Sequence, residues 1–365
     1  MIIEGNALRS SPTRAETENV ARATISPGRR AGNTFFKLLY RYTHTRAWRH
    51  NERLAHGVTL ERDEAGRLAG MRIRGQRLPA VNRLPISQPE SGNASREFHE
   101  FHECHLIATG PSVNHIDYRA LPMQHVLGVN GAIALAARQG VRFDYYCIVD
   151  TGFVRNRPDL VERVIGEPLT LFATPLVLWH IAERFGIERI RCRVFILDDM
   201  LFPAGRRASG QRELRALDDA HALALFDAPQ PLGFSLDLRR GVFDGRTVAY
   251  AGLQVLAALG FKRLYLHGVD LSAAKCTPRF YESALDMQPS YLDENFADFI
   301  EPSFRHAAVL LARRGIDVRN LSLDSALGED IFPKLRWQSL KRDAARAKVS
   351  ASVREPARES ALAFA

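Results

Sequence analysis

Between residues 105 and 321, short apolar runs alternate with stretches of helical periodicity, a pattern that predicts an α/β fold with a mainly parallel sheet. The runs 105–109, 125–129, 143–149, 169–173, 193–197, 263–267 and 317–321 read as strands. Helices begin near Asn130, Pro158, Pro175, Thr247 and Pro302, several of them on a proline or a capping residue suited to a helix start. Residues 200–245 fit no such unit. Gly205, Gly210, Pro229, Pro231 and Gly233 interrupt every period, so an irregular insertion over one end of the sheet is expected there.

The first hundred residues follow other rules. Residues 1–33 are rich in Arg, Ser, Thr, Gly and Asn without periodicity and read as a flexible arm. Phe35, Phe36, Leu38, Leu39, Tyr40, Tyr42 and Trp48, interleaved with Lys37, Arg41, Arg46 and Arg49, predict an amphipathic helix. It either lies in a membrane interface or packs on the body. Residues 58–61 and 68–73 flank the turn Asp63-Glu64-Ala65-Gly66 in a hairpin pattern, and the three prolines of 79–93 mark a linker. The expected organisation is a basic N-terminal extension over 1–100, a catalytic domain over 101–335 with its insertion at about 200–245, and a basic tail over 336–365.

Charge sharpens this division. Residues 1–56 carry ten Lys/Arg against four Asp/Glu and residues 336–365 carry seven against three, so the ends account for the net +9 and leave the middle near neutrality. A nucleic-acid enzyme more often puts its positive charge on the working domain, so nucleic acid is not an expected partner. Basic ends around a neutral body suit an anionic surface such as the inner leaflet, where each Lys or Arg contributes about 1 kcal/mol. Solvated tails are the other reading. The four cysteines, Cys104, Cys147, Cys192 and Cys276, form neither a CxxC nor a Cys/His cluster, which argues against a disulfide framework or structural zinc. The polar opening residues and the absence of a run near the roughly 20 apolar residues of a membrane span predict a cytoplasmic protein, peripheral on the inner membrane.

In open α/β sheets, ligands bind beyond the carboxyl ends of the strands. The polar residues and glycines gathered there are Thr109, Gly110, Pro111 and Ser112; Asn130 and Gly131; Asp150; and Gly268 with Asp270. Gly110 allows close backbone approach and Ser112 offers a hydroxyl and an amide. The turn is therefore either a phosphate cradle or a plain strand-to-helix turn. It is neither GxxxxGK[ST] nor GxGxxG, motifs that serve ligands with linked phosphates. A single phosphate needs less. Asn130 offers an amide to ribose or base edges, although Asn-Gly is also a common turn pair. Arg246, beside Thr247 at a helix start, places a cation at the positive dipole end, which is unfavourable unless an anion binds there. The alternative is a surface arginine. Asp198-Asp199 lacks the Asp-x-Asp spacing that holds a divalent ion on a diphosphate-sugar, and no metal ligand set or required cofactor is expected.

Taken together, the apolar strand with Gly110-Pro111-Ser112 and then Ile116-Asp117, the Val129-Asn130 strand end, and the block from Thr247 to Asp270 closely resemble the bacterial CMP-sialic acid-dependent sialyltransferases. They are also similar to the related lipopolysaccharide-core transferases for 3-deoxy-manno-octulosonic acid (Kdo). The second group is the nearer on Gly128-Val129-Asn130-Gly131, Asp150-Thr151 with Arg157-Pro158-Asp159, and Gly268-Val269-Asp270 with Arg279-Phe280-Tyr281-Glu282. The likeness spans roughly residues 104–325.

This resemblance implies an inverting transfer on a Rossmann-like fold with helices on both faces of the sheet. The donor would be CMP-Kdo or CMP-sialic acid and the acceptor a lipid-linked or oligosaccharide glycan. It implies CMP held by the Gly-Pro-Ser turn and Asn130. Asp150 stands where the sialyltransferases place a donor-binding asparagine, and Arg246 and Thr247 match a donor-contacting Arg and Thr. Tyr281 matches one of two tyrosines that assist the leaving phosphate; the other falls near Ser272. The stretch matching the family's general-base histidine reads Asp298-Phe299-Ile300-Glu301-Pro302. The base would then be Asp298 or Glu301, with Asp150 and His306 as further options. Two other readings stay open: a phosphotransferase acting on a pterin or nucleotide, and a non-catalytic protein that binds lipopolysaccharide precursors.

Overall fold

Seven parallel strands form the centre of the computed structural model, which describes residues 57–80 and 103–341 except 218–221, 229, 230, 273–275 and 289. These residues all belong to the unit Arg53–Ala365. The amphipathic segment 35–48, most of the proline-rich linker and nearly all of the basic ends lie outside the described residues.

Along the chain, the hairpin β1 (Val58–Arg62) and β2 (Leu68–Ile73) continues into the short β3 (Gln76–Arg77). Then follow β4 (Glu103–Ile107), β5 (Val126–Val129), α1 (Ala134–Gln139), β6 (Tyr145–Ile148), α2 (Thr151–Asn156), α3 (Pro158–Gly166), β7 (Thr170–Ala173), α4 (Pro175–Phe185) and β8 (Arg193–Ile196). The insertion contains α5 (Gln211–Leu217) and a small antiparallel pair, β9 (Leu223–Leu225) and β10 (Gly233–Ser235). The chain closes with α6 (Val248–Ala258), β11 (Arg263–His267), α7 (Leu292–Asn295), α8 (Glu301–Arg313) and β12 (Asp317–Asn320). All seven strands expected of the main sheet are present, and the α/β reading with a parallel sheet is borne out. The insertion is more ordered than its glycines and prolines suggest, because strands of three residues are too short to show a period.

The strand order β12-β11-β4-β5-β6-β7-β8 explains where a ligand belongs. From β4 the chain moves outward strand by strand to β8, then returns to lay β11 on the other side of β4. Successive residues of a strand face opposite sides, so Leu106, Leu127 and Cys147 enter one core and Ile107, Val126 and Ile148 the other. The first core takes α6 and α8, and the second takes α1 to α4 with the β1–β2 hairpin. Both faces are thus covered, as a parallel sheet requires.

Helix α6 is apolar all round and buried from Ala249 to Ala257, so it lies in the middle of its layer. Gly252 lets it sit close to the sheet: an added Cβ would stand 3.0 Å from Leu106 and 3.2 Å from Leu127. The buried Gln254 is the polar exception. Its amide accepts from Ser235 N and Phe243 N and donates to Phe243 O, tying the insertion to the helix.

A second buried polar group sits at the heart of the sheet. His105 Nδ1 and His267 Nε2 are 2.8 Å apart on neighbouring strands, and Tyr118 Oη lies 3.3 Å from His267 Nδ1. Both rings are fully buried. Desolvation drives His105 down to about 3, and desolvation together with the facing His105 drives His267 well below the ordinary histidine range. The folded pair therefore stays neutral where the unfolded chain takes up protons, so stability is intact above pH 6.5 and is lost as pH falls toward 3. His105 alone should remove about 2 kcal/mol between pH 7 and pH 5, and His267 acts in the same direction. Urea unfolding at the two pH values measures this; equal stability at both would show that the pair does not stay neutral.

Candidate functional site

The crevice forms where the strand order reverses, beyond the carboxyl ends of β4 and β11, the position the general rule for open α/β sheets assigns to ligands. It encloses about 570 Å³ of space, the solvent at its open mouth included. Its floor is two strand-end turns, 108–111 and 268–272, and its walls are Thr247 and Val248 of α6 and the segment containing Thr277, Arg279, Ser290 and Leu292. The two turns are stitched together: Ala108 N donates to His267 O and Gly110 N donates to Gly268 O at 2.9 Å.

Thr109, Gly110, Pro111, Thr247, Gly268 and Asp270 come together here. Ser112 meets them differently. Its amide donates to Asp270 Oδ2 at 2.9 Å and its hydroxyl to Asp270 Oδ1 at 2.5 Å, with Ser322 Oγ at 2.9 Å. Its donors therefore hold a carboxylate of the chain itself, and Asp270 takes the place beside Ser112 that an anion would fill. The turn after β11 is strained as well as bonded: Leu271, on the cleft floor, has φ 54°, a conformation disfavoured for a residue with a Cβ.

The first turn of α6 offers an anion a better place. Thr247 is the N-cap without a side-chain cap bond, and no acidic residue occupies the first turn, so amide donors and the positive dipole end face the cleft. Arg246, expected at this helix start, precedes the cap. Its φ is 59°, its guanidinium lies 4.9 Å from the Phe299 ring centroid and 3.6 Å from Asp244, and it is absent from the cleft lining. Among the described residues the cation on the cleft wall is Arg279, held by Glu282 at 2.8 Å.

Asn130, Gly131, Asp150 and Tyr281 gather beside the cleft, at the ends of β5 and β6. Asn130 has φ 45°, a strained value stabilised by Tyr146, whose buried hydroxyl donates to Asn130 O at 2.6 Å and accepts from Ile133 N at 2.7 Å. Asn130 Oδ1 is buried without a partner among the described residues. The Tyr281 ring lies directly on Gly131, in space that a Cβ would occupy. Phe280 N donates to Thr109 O at 3.1 Å, which joins this group to the cleft floor. Burial raises the Tyr281 phenol above its ordinary range, and its hydroxyl makes no hydrogen bond among the described residues. Asp150 is exposed and caps α2 by accepting from Gly152 N at 2.7 Å.

The remaining candidates stand away from the cleft lining. Glu301 is bound by Arg305, which also pairs with Asp330, in a surface network. Asp298 is exposed on the turn leading into α8 and forms no hydrogen bond or ion pair among the described residues. His306 stacks on Phe226 at 4.9 Å, the packing alternative for that helix. Asp198 pairs with Arg62 of the hairpin at 2.8 Å and accepts from Ala204 N, while Asp199 accepts from Leu201 N and Phe202 N, so both tie loops down. Among the described residues no group of three or more His, Cys, Asp or Glu is placed to hold a metal ion. Nor is any described helix long and apolar enough to cross a membrane.

No family model matches the chain. A probable 3-deoxy-manno-octulosonic acid transferase of Escherichia coli (strain K12) is 23% identical over 251 residues, 65% of this chain and 84% of the relative. The family resemblance read from the sequence is borne out. Two solved structures are also similar. The monofunctional α-2,3-sialyltransferase Cst-I of Campylobacter jejuni has TM-score 0.38 and 15% identity, covering 70% of this chain and 84% of that one. The sialyltransferase CstII of the same organism, in complex with cytidine-5'-monophosphate, has TM-score 0.37 and 14% identity, covering 65% and 86%.

Proposed function

We propose that this chain is an inverting glycosyltransferase that transfers an acidic ulosonic sugar, Kdo by preference, from its CMP-activated donor to a lipopolysaccharide core or another glycan acceptor. The observation that carries the reading is the cleft at the switch point, with the uncapped start of α6 on one wall and Arg279 on another. A donor with one phosphate matches that provision. The phosphate accepts from the first amides of α6 and from Thr247. Asn130 offers its free Oδ1 to a donor hydroxyl.

As the bond from the sugar to CMP breaks, positive charge grows on the sugar and negative charge on the phosphate. Tyr281, with an uncommitted hydroxyl, donates to the leaving phosphate. The acceptor hydroxyl loses its proton to Asp298, whose carboxylate is uncommitted where that of Glu301 is held by Arg305. The basic ends hold the enzyme at an anionic leaflet that presents its acceptor.

Incubation with CMP-Kdo and with CMP-sialic acid, each alone, followed by measurement of CMP release, tests the reading. Release from CMP-Kdo is expected to be the faster. Release from neither would overturn it.

A further inference from the structure

Arg157 links β6 to the Tyr281 group in a way that the fold alone does not require. It sits between α2 and α3, where Pro158 opens α3. Its Nε and Nη2 donate to the two carboxylate oxygens of Asp159 at 3.0 and 2.8 Å. The Asp159 side chain is 60% exposed against 20% for Arg157, so this fork fixes the solvent side of the guanidinium. The inner corner is different. Nη1 is buried and has no hydrogen-bond partner among the described residues, and the guanidinium carbon stands 5.1 Å from the centroid of the Tyr281 ring.

A charged donor buried without an acceptor is unfavourable, and native structures seldom keep one without a use. Here it recurs around the same ring. Tyr281 lies on Gly131, and the neighbouring Asn130 contributes a second unpaired buried atom, Oδ1. The two have opposite hydrogen-bonding character, one donor and one acceptor. Arg157 lies against the ring of the side chain whose hydroxyl is uncommitted, and Asn130 precedes the glycine that this ring covers. Such a set fits a ligand that brings a charged oxygen and a hydroxyl together, as a sugar acid joined to a phosphate does.

We propose that Arg157 is a donor-binding residue whose Nη1 receives an anionic oxygen of the CMP-sugar beside Tyr281. This assignment rests on the glycosyltransferase reading. Asp159 acts through it as a positioning residue that keeps the guanidinium plane on the Tyr281 ring. The anionic oxygen belongs either to the phosphate, which CMP alone also carries, or to the sugar carboxylate, which only the intact donor carries.

The test compares wild type with Arg157→Gln, measuring CMP affinity by calorimetry, KM and kcat for CMP release from CMP-Kdo, and the thermal midpoint. Loss of a charged hydrogen bond should raise KM for CMP-Kdo on the order of tenfold or more at an unchanged midpoint. Weakened CMP binding as well identifies the phosphate; unchanged CMP binding identifies the carboxylate. If Arg157→Gln does not fold, Arg157→Lys, which keeps the charge and loses the fork, should show the same rise in KM with partial retention of turnover. A variant that folds and keeps both wild-type CMP affinity and wild-type KM overturns the assignment alone. A wild-type protein that binds no CMP and releases none overturns the functional reading and this assignment with it.

Discussion

Alanine in place of Gly110 is expected to lower CMP release from CMP-Kdo at least about a hundredfold and to destabilise the fold by about 2 kcal/mol. The backbone is not the obstacle: Gly110 has φ −65° and ψ 158°, which any residue adopts. Space is. A Cβ there would overlap the Asp270 carboxylate, lying 2.5 Å from its Cγ, and would stand 2.7 Å from Gly268 O. The Asp270 carboxylate cannot swing away cheaply, because Ser112 holds both its oxygens. The backbone oxygen cannot move unless β4 and β11 part at the cleft floor and the Gly110 N to Gly268 O bond breaks. Gly166→Ala is the control, since nothing lies within 4 Å of its added Cβ and its φ is ordinary. Gly110→Ala with wild-type turnover would mean that the cleft floor is not part of the site.

How far the sequence shows this arrangement depends on the distance between partners. The central strands are legible because both faces of a parallel sheet are covered, so Val126–Val129 and Tyr145–Ile148 are buried at every position and read as unbroken runs. The strand ends are legible for a related reason: polar residues and glycines that follow such runs stand out. What they do there is less visible. Ser112 reads as a phosphate donor, whereas its partner is Asp270, 158 residues away. Gly131 reads as half of a turn pair, and the side chain it makes room for arrives 150 residues later. Arg246 and Thr247 look alike as a helix start, yet one residue separates a side chain on Phe299 from a cap that faces the cleft. Arg157 and Arg279 are visible in the sequence only as members of the stretches Arg157-Pro158-Asp159 and Arg279-Phe280-Tyr281-Glu282, and only the packing around Tyr281 and the cleft shows what each of them touches.

Gly131→Ala is expected to reduce turnover about a hundredfold with a smaller effect on stability, because the residue that must yield is Tyr281. An added Cβ would overlap Cε1, Cδ1 and Cζ of that ring. The turn itself cannot retreat, since the Tyr146 hydroxyl fixes both Asn130 O and Ile133 N within a fully buried site. The ring packs in the core against the Arg157 guanidinium and edge-on to Phe280, and displacing it moves its hydroxyl away from the leaving phosphate of the proposed reaction. Proton donation by a positioned side chain contributes about 10²- to 10⁴-fold, which sets the scale of the loss. The coupling can be read directly. Tyr281→Ala alone should slow CMP release by a similar factor, and adding Gly131→Ala to it should cost little more, because the overlapping atoms are gone. Losses that multiply in the double variant would show that Gly131 serves the site independently of Tyr281, for instance by admitting the donor itself against the backbone at the end of β5.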